Sequence, residues 1–177
     1  MIRPLDAMLR YLDGLTEAPP LTELAEELRR YPVALDDVAA LLRFSDRGYQ
    51  RNLLRAGGCY QAWVLCWKNG QRSPIHDHHG SRCVVRVLHG VLTETLFAFA
   101  PNGHVKAVAS RDFGPGELLA SQNADLHQAS NLQAGDADLV TLHVYAPPLR
   151  AMGLYSLYDR SRGEEVWTIE YCDAAGI

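Results

Sequence analysis

The stretch from Gly70 to Gly90, GQRSPIHDHHGSRCVVRVLHG, sets His76 and His78 two residues apart, with His79 beside them. It lies between a turn-forming Gly70-Gln71 and a run of β-branched residues. In an extended strand the side-chain period is two, so His76 and His78 share a face while Asp77 points away. Two imidazoles on one face can hold a metal ion, and imidazole suits Zn, Cu, Fe and Ni alike. Two ligands alone bind weakly, so a third should come from another strand. The remaining histidines are His89, His104, His127 and His143. His89 precedes Gly90 and His104 follows Asn102-Gly103, so both are expected in hairpin turns facing solvent.

Around these residues the chain must build a scaffold. At 177 residues it is long enough to bury one core without disulfides or structural metals. The formal charge of -4, with Lys and Arg scattered among Asp and Glu, gives no footprint for nucleic acid. The N-terminal MIRPLDAMLRYLDGL is broken by charges every few residues, unlike a signal-peptide core. No apolar run approaches the ~18 residues of a spanning helix. A cytoplasmic, soluble protein with no membrane or nucleic-acid partner is expected, and a monomer. Cys59, Cys66, Cys83 and Cys172 form no C-x-x-C pair, which argues against a thiolate zinc site and a disulfide framework.

Residues 4 to 44 read as three short amphipathic helices, with stripes Leu5, Met8, Leu9, Leu12, then Leu21, Leu24, Ala25, Leu28, then Val38, Leu41, Leu42 behind Asp36 or Asp37. From Tyr49 onward the runs shorten and become rich in Val, Leu, Trp and Tyr, broken at Gly57-Gly58, Asn69-Gly70, Asn102-Gly103 and Pro115-Gly116. Strands are predicted near 49–55, 60–68, 74–78, 82–88, 91–98, 104–110, 117–121, 125–130, 138–145, 153–158 and 164–171. The fold class is mainly β: an antiparallel barrel of the jelly-roll kind, with the short N-terminal helices packed on it. Residues 1–177 are expected to form a single domain, helical over 1–44 and β-barrel over 45–177.

The order Gly, five residues, His-x-His, four residues, Cys83, six residues, Gly resembles the first motif of the cupin β-barrels, with Cys83 where most cupins carry a ligating Glu. Pro115-Gly116 followed by His127-x-x-x-Asn131 resembles the second, though ten residues separate Gly116 from His127. Tyr49-Gln50-Arg51-Asn52-Leu53, Leu65-Cys66-Trp67, Ile75-His76-Asp77-His78, Ser81, Cys83, Glu94-Thr95-Leu96, Leu126-His127 and Leu142-His143-Val144-Tyr145-Ala146-Pro147-Pro148 together resemble cysteine dioxygenase, the thiol dioxygenase branch of the cupins.

The resemblance implies one Fe(II) per chain held by His76, His78 and His127, with L-cysteine and O2 as substrates and cysteine sulfinic acid as product. It implies that Arg51, with Tyr49 beside it, meets the substrate carboxylate. Tyr145 is then near the iron, steadied by His143. Cys83 is the residue of the animal-type sequences, which join it to the tyrosine by a thioether; many bacterial relatives carry Gly there. The family's Ser-Pro-Pro is Ala146-Pro147-Pro148 here, so a Ser-dependent contact is absent. The interval from His127 to Tyr145 is slightly long, which implies a loop insertion. Three alternatives compete. A 3-mercaptopropionate dioxygenase would carry Gln in place of the Arg, and Gln50 adjoins Arg51. A non-catalytic metal-binding cupin would not require Arg51, His143 and Tyr145 together. A three-His zinc hydrolase would need a positioned Glu base, and none adjoins the first motif.

Overall fold

A computed structural model of the chain describes residues 2–121 and 125–166. The first apolar stripes form helices. Helix α1 (Pro4–Asp13) starts on Pro4, whose fixed φ suits a first turn, and buries Leu5, Met8, Leu9 and Leu12. Helix α2 (Leu21–Arg29) buries Leu24, Ala25 and Leu28. The third expected helix is a 3₁₀ helix over Leu35–Leu41. It is confined between extended residues Ala34 and Leu42, and only Val38 is buried. The Asp37 carboxylate accepts the Ala34 N–H at 3.0 Å, which tightens its start.

The strands follow as β1 (Gln50–Ala56), β2 (Gln61–Trp67), β3 (Ile75–His76), β4 (Arg82–His89), β5 (Leu92–Phe99), β6 (Val105–Phe113), β7 (Leu118–Ser121), β8 (Leu126–Ser130), β9 (Leu139–Ala146), β10 (Ala151–Tyr155) and β11 (Arg162–Val166). The predicted strand at 164–171 therefore begins at 162; its end, like Cys172, lies outside the described residues. The pairings are antiparallel and make two sheets, β1-β2-β9-β4-β7 and β11-β10-β3-β8-β5-β6. This is the expected jelly-roll arrangement, with two sheets in place of a closed barrel.

Strand β9 shows how the layers stack. All of its residues are buried although neighbouring side chains point to opposite faces, so both faces are covered. Val140, Leu142 and Val144 pack in the cluster with Met8, Leu12, Leu24 and Leu28 of the helices. Leu139 and Tyr145 pack in a second cluster that joins the sheets, with Leu65, Val85, Leu92, Phe113, Ala129 and Met152. Each fully buried aliphatic side chain contributes about 1.5–3 kcal/mol, so a register slip in β9 would expose two cores at once. The β-branched runs that looked alike in sequence thus serve opposite layers.

Strand β3 is shorter than the predicted 74–78 and ends at His76. The chain leaves the ladder there because it must turn: Ser81 N–H donates to His78 O at 2.9 Å and His79 has φ 42°. The Ala146-Pro147 peptide is cis. Among the described residues no helix is long and apolar enough to cross a membrane.

Candidate active site

Strand β3 lies between β8 and β10, and its His76 is the register partner of His127. His78, two residues on, turns back to the same side. One ring nitrogen from each of His76, His78 and His127 lies within 4.8 Å of the others. The Nε2 atoms of His78 and His127 are 3.3 Å apart. Two nitrogens each about 2.1 Å from a shared ion lie about 3 Å apart when their bonds meet near a right angle. The three rings are buried, at 5%, 1% and 3% exposure.

Their second nitrogens are treated differently. His76 Nδ1–H donates to Pro74 O at 2.9 Å, and His127 Nδ1–H donates to Glu94 Oε1 at 2.9 Å. Both bonds leave Nε2 with its lone pair toward the cluster. His78 Nδ1 has no hydrogen-bond partner among the described residues. Burial, then the charge of His127, pushes the His76 pKa down to about 3 against the raising effect of Pro74 O. Burial, then its two histidine neighbours, holds His78 well below the usual imidazole range. Neutral imidazole is the form that binds a metal, so this set fits one.

The other wall of the same cavity comes from the first sheet. The cavity is lined by Tyr49, Arg51, His76, His78, Cys83, His127, His143 and Tyr145 together with Ser73 and apolar residues. Arg51 pairs in register with Leu65, an inner-face residue, whereas Gln50 pairs with Cys66, which packs toward the helices. The Gln50 amide instead donates to the Gly48 carbonyl at 3.3 Å. The geometry therefore puts Arg51 in the cavity and turns Gln50 out of it. Arg51 Nη2 lies 3.8 Å from Met152 Sδ, and its guanidinium carbon is 5.9 Å from the Tyr49 ring centre. Tyr49 in turn stacks on Trp67 at 4.1 Å.

Cys83 and Tyr145 are register partners on β4 and β9, as are Val85 and His143. The Tyr145 hydroxyl is 3.4 Å from His143 Nδ1, and Cys83 Sγ is 3.9 Å from the same nitrogen. Behind them Trp67 Nε1–H donates to Thr141 Oγ1 at 3.0 Å, and Thr141 Oγ1 is 2.9 Å from His143 Nε2. An indole N–H can only donate, so the fully buried threonine accepts from Trp67, and its hydroxyl bridges Trp67 and His143 Nε2. His143 thus stands between the Thr141 hydroxyl at Nε2 and the Tyr145 hydroxyl at Nδ1. Burial and the neighbouring Cys83 raise the Tyr145 pKa well above its usual value, and burial pushes Cys83 up to about 12. Both groups stay protonated at neutral pH.

Several residues in this arrangement carried no label in the sequence. Thr141 had a signal: it sits two before His143 and four before Tyr145, on one strand face. Glu94 stood in the motif Glu94-Thr95-Leu96 but without a role, because its contact depends on how β5 registers with β8, where His127 faces Leu96 and Glu94 faces Ala129. Asp77 faces away from the cavity and ties β3 to β10: its carboxylate accepts Gly153 N–H at 3.0 Å and the Tyr155 hydroxyl at 2.6 Å. A side chain at Gly153 would put its Cβ 2.8 Å from Asp77 Oδ2. Of the histidines left out of the cluster, His89 is exposed, His104 is half-buried, and His79 lies 3.2 Å from Glu164 at the surface.

Residues 19–159 match the family model described as Cysteine dioxygenase type I. The chain belongs to that family. The match takes in all of the cavity residues named above. The chain is 33% identical to Cysteine dioxygenase type 1 of Homo sapiens over 114 residues, 62% of this chain and 56% of that protein. It is 31% identical to the Danio rerio protein of the same name over 136 residues, 73% of this chain and 66% of that protein. The chain thus spans little more than half the length of the human relative. Among solved structures, a Klebsiella pneumoniae protein with a double-stranded β-helix domain aligns at TM-score 0.56 and 17% identity, covering 67% of this chain and 88% of that one. A Bacillus halodurans protein aligns at TM-score 0.51 and 17% identity, over 66% and 80% of the two chains. These likenesses concern the fold.

Proposed function

We propose that this chain is an iron(II)-dependent thiol dioxygenase that oxidises L-cysteine with O2 to cysteine sulfinic acid. The observation that carries the reading is the presence of three inward imidazole nitrogens and the Arg51 guanidinium in one small cavity. His76, His78 and His127 hold the iron. Ferrous iron bound there supplies Lewis acidity that favours a thiolate and electrons that activate O2. Three neutral ligands leave its charge undiminished by the donors themselves.

Arg51 takes the substrate carboxylate through its planar fork of N–H donors, with Tyr49 packed against it. The cavity lining sets these few polar groups among apolar side chains, which suits a small polar ligand. Tyr145 keeps its proton, and with His143 protonated at Nδ1 its hydroxyl would be left to donate toward the reacting sulfur. Cys83 lies within hydrogen-bond reach of the same hydroxyl. A cytoplasmic location agrees with the single cysteines and their expected reduced state.

The test is substrate choice. Iron-reconstituted protein is given L-cysteine, 3-mercaptopropionate and cysteamine in turn while oxygen uptake is followed and the sulfinate is identified. Fastest turnover with L-cysteine is expected. Faster turnover with 3-mercaptopropionate would move the assignment to that acid, and no uptake with any thiol would refute a dioxygenase.

A further inference from the structure

The three histidines of the cluster are not equivalent, and the difference lies behind them. His76 leans on a neutral carbonyl and His78 Nδ1 on nothing among the described residues, whereas His127 leans on a carboxylate. Glu94 is itself buried, at 4% exposure, and His127 is its one side-chain hydrogen-bond partner among the described residues. A carboxylate removed from water and given one hydrogen bond is costly unless positive charge lies close by. The cluster provides a place for that charge on the far side of the His127 ring.

We infer that Glu94 is a positioning residue which, through His127, fixes the tautomer and raises the donor strength of one of the three metal ligands. The inference rests on the metal-binding reading of the cluster. By accepting the Nδ1 proton the carboxylate holds Nε2 as the free donor, and by its charge it makes that nitrogen more basic. The same charge, one ring away from the ion, favours the more oxidised state of a redox metal. His127 is therefore the strongest of the three donors, and its partner tunes the site without touching it. A plain structural ion pair is the rival account. It needs a charged imidazole, and a charged imidazole has no lone pair left for a metal.

The two accounts predict opposite results for Glu94→Gln, which keeps the acceptor oxygen and removes the charge. Co(II) and Zn(II) affinities are measured by competition with a chromophoric chelator, the reduction potential is measured on iron-loaded protein, and the melting of the metal-free protein is followed. The expected result is metal affinity weaker by about 10- to 100-fold, as for other partners of ligating histidines. A higher potential and nearly unchanged metal-free melting are expected with it. Unchanged affinity and potential with a lower metal-free melting temperature would overturn the inference in favour of the ion pair. Glu94→Asp serves if the Gln variant does not fold: it should keep the potential near the parent's yet lose affinity because its reach is shorter, and full affinity would overturn the inference. Failure of the parent to bind any metal would sink the three-histidine reading as well, whereas a binding parent with an equally tight variant sinks this inference alone.

Discussion

The two walls of the cavity are built on different principles. The wall that carries Arg51, Cys83, His143 and Tyr145 belongs to the β1-β2-β9-β4-β7 sheet, which has helices behind it and a core in front. The wall that carries His76 and His127 belongs to the other sheet, whose edge strand β6 is exposed at all but its ends and whose β11 is wholly exposed. On the first wall, packing on both faces locks the register, and alternation along the strand then aims each side chain. On the second, packing secures one face only, and the ligands are anchored singly by Pro74 O, by Glu94 and by the tie from Asp77 to β10. Damage to the second wall should therefore appear as lost metal, and damage to the first as altered turnover on a metal site that still fills.

The largest effect belongs to the metal wall. His76→Ala, His78→Ala and His127→Ala should each weaken metal binding by at least about 100-fold, more than the loss of a ligand's partner costs, and each should release most of the iron. His104→Ala, a histidine outside the cluster, should keep it. Metal analysis of the purified variants decides the matter, and full iron in His127→Ala would break the assignment.

On the other wall, Arg51→Ala should leave iron content unchanged and lower kcat/KM for cysteine by about 2–5 kcal/mol, the range for a charged group left without its partner in a partly dry site. Cysteamine lacks the carboxylate and should lose far less. Equal losses for the two thiols would mean that Arg51 holds the wall together and does not read the substrate.

The same contrast governs what could be read from the sequence. His76 and His78 were legible because their spacing is local, and the succession of strands along the chain was legible because turns and apolar runs alternate. Arg51, His143, Tyr145, Cys83 and His127 emerged through the motifs they share with cysteine dioxygenase, and the cavity brings them together. The anchors were not legible. Glu94 meets His127 across a register that no short stretch encodes, and Asp77 meets Gly153 and Tyr155 some seventy-six and seventy-eight positions away. The third helix was legible from its stripe, but its 3₁₀ pitch was not, because its length and its extended neighbours are weak signals. The end of β3 was misread because a run of histidines gives no warning of the turn at His79.

A smaller effect tests the claim that the first wall works by register and directed hydrogen bonds. Thr141→Val keeps the shape of the side chain but leaves Trp67 Nε1–H and His143 Nε2 without their shared partner in a site where Thr141 has no exposure. Stability should fall by about 1–3 kcal/mol, the cost of burying polar groups unpaired, and iron content should not change. Urea unfolding and metal analysis on the same samples give both numbers. Loss of iron in this variant would show that the two walls are not independent.

The smallest effect, also on the first wall, concerns Cys83 and Tyr145. The pair faces across β4 and β9 and shares a hydrogen bond, so the thiol lies beside the phenol to which a thioether would join it. The bond would form with loss of two hydrogens, one from the thiol and one from the ring, with O2 as oxidant. It would remove rotamer freedom from the phenol and hold it near the sulfur to be oxidised, which is a gain in orientation and not a new group. His143 already holds the Tyr145 oxygen at 3.4 Å, so the gain should be modest: activity should rise over successive turnovers, and Cys83→Gly should stay active at the starting level. A buried cysteine packed as a small hydrophobe would give the same structure and no bond. Intact mass and peptide mapping after incubation with iron, cysteine and O2 distinguish the two outcomes. A linked peptide pair lighter by two hydrogens supports the bond, and separate Cys83 and Tyr145 peptides after many turnovers would leave His143 and packing as the sole restraint on the phenol.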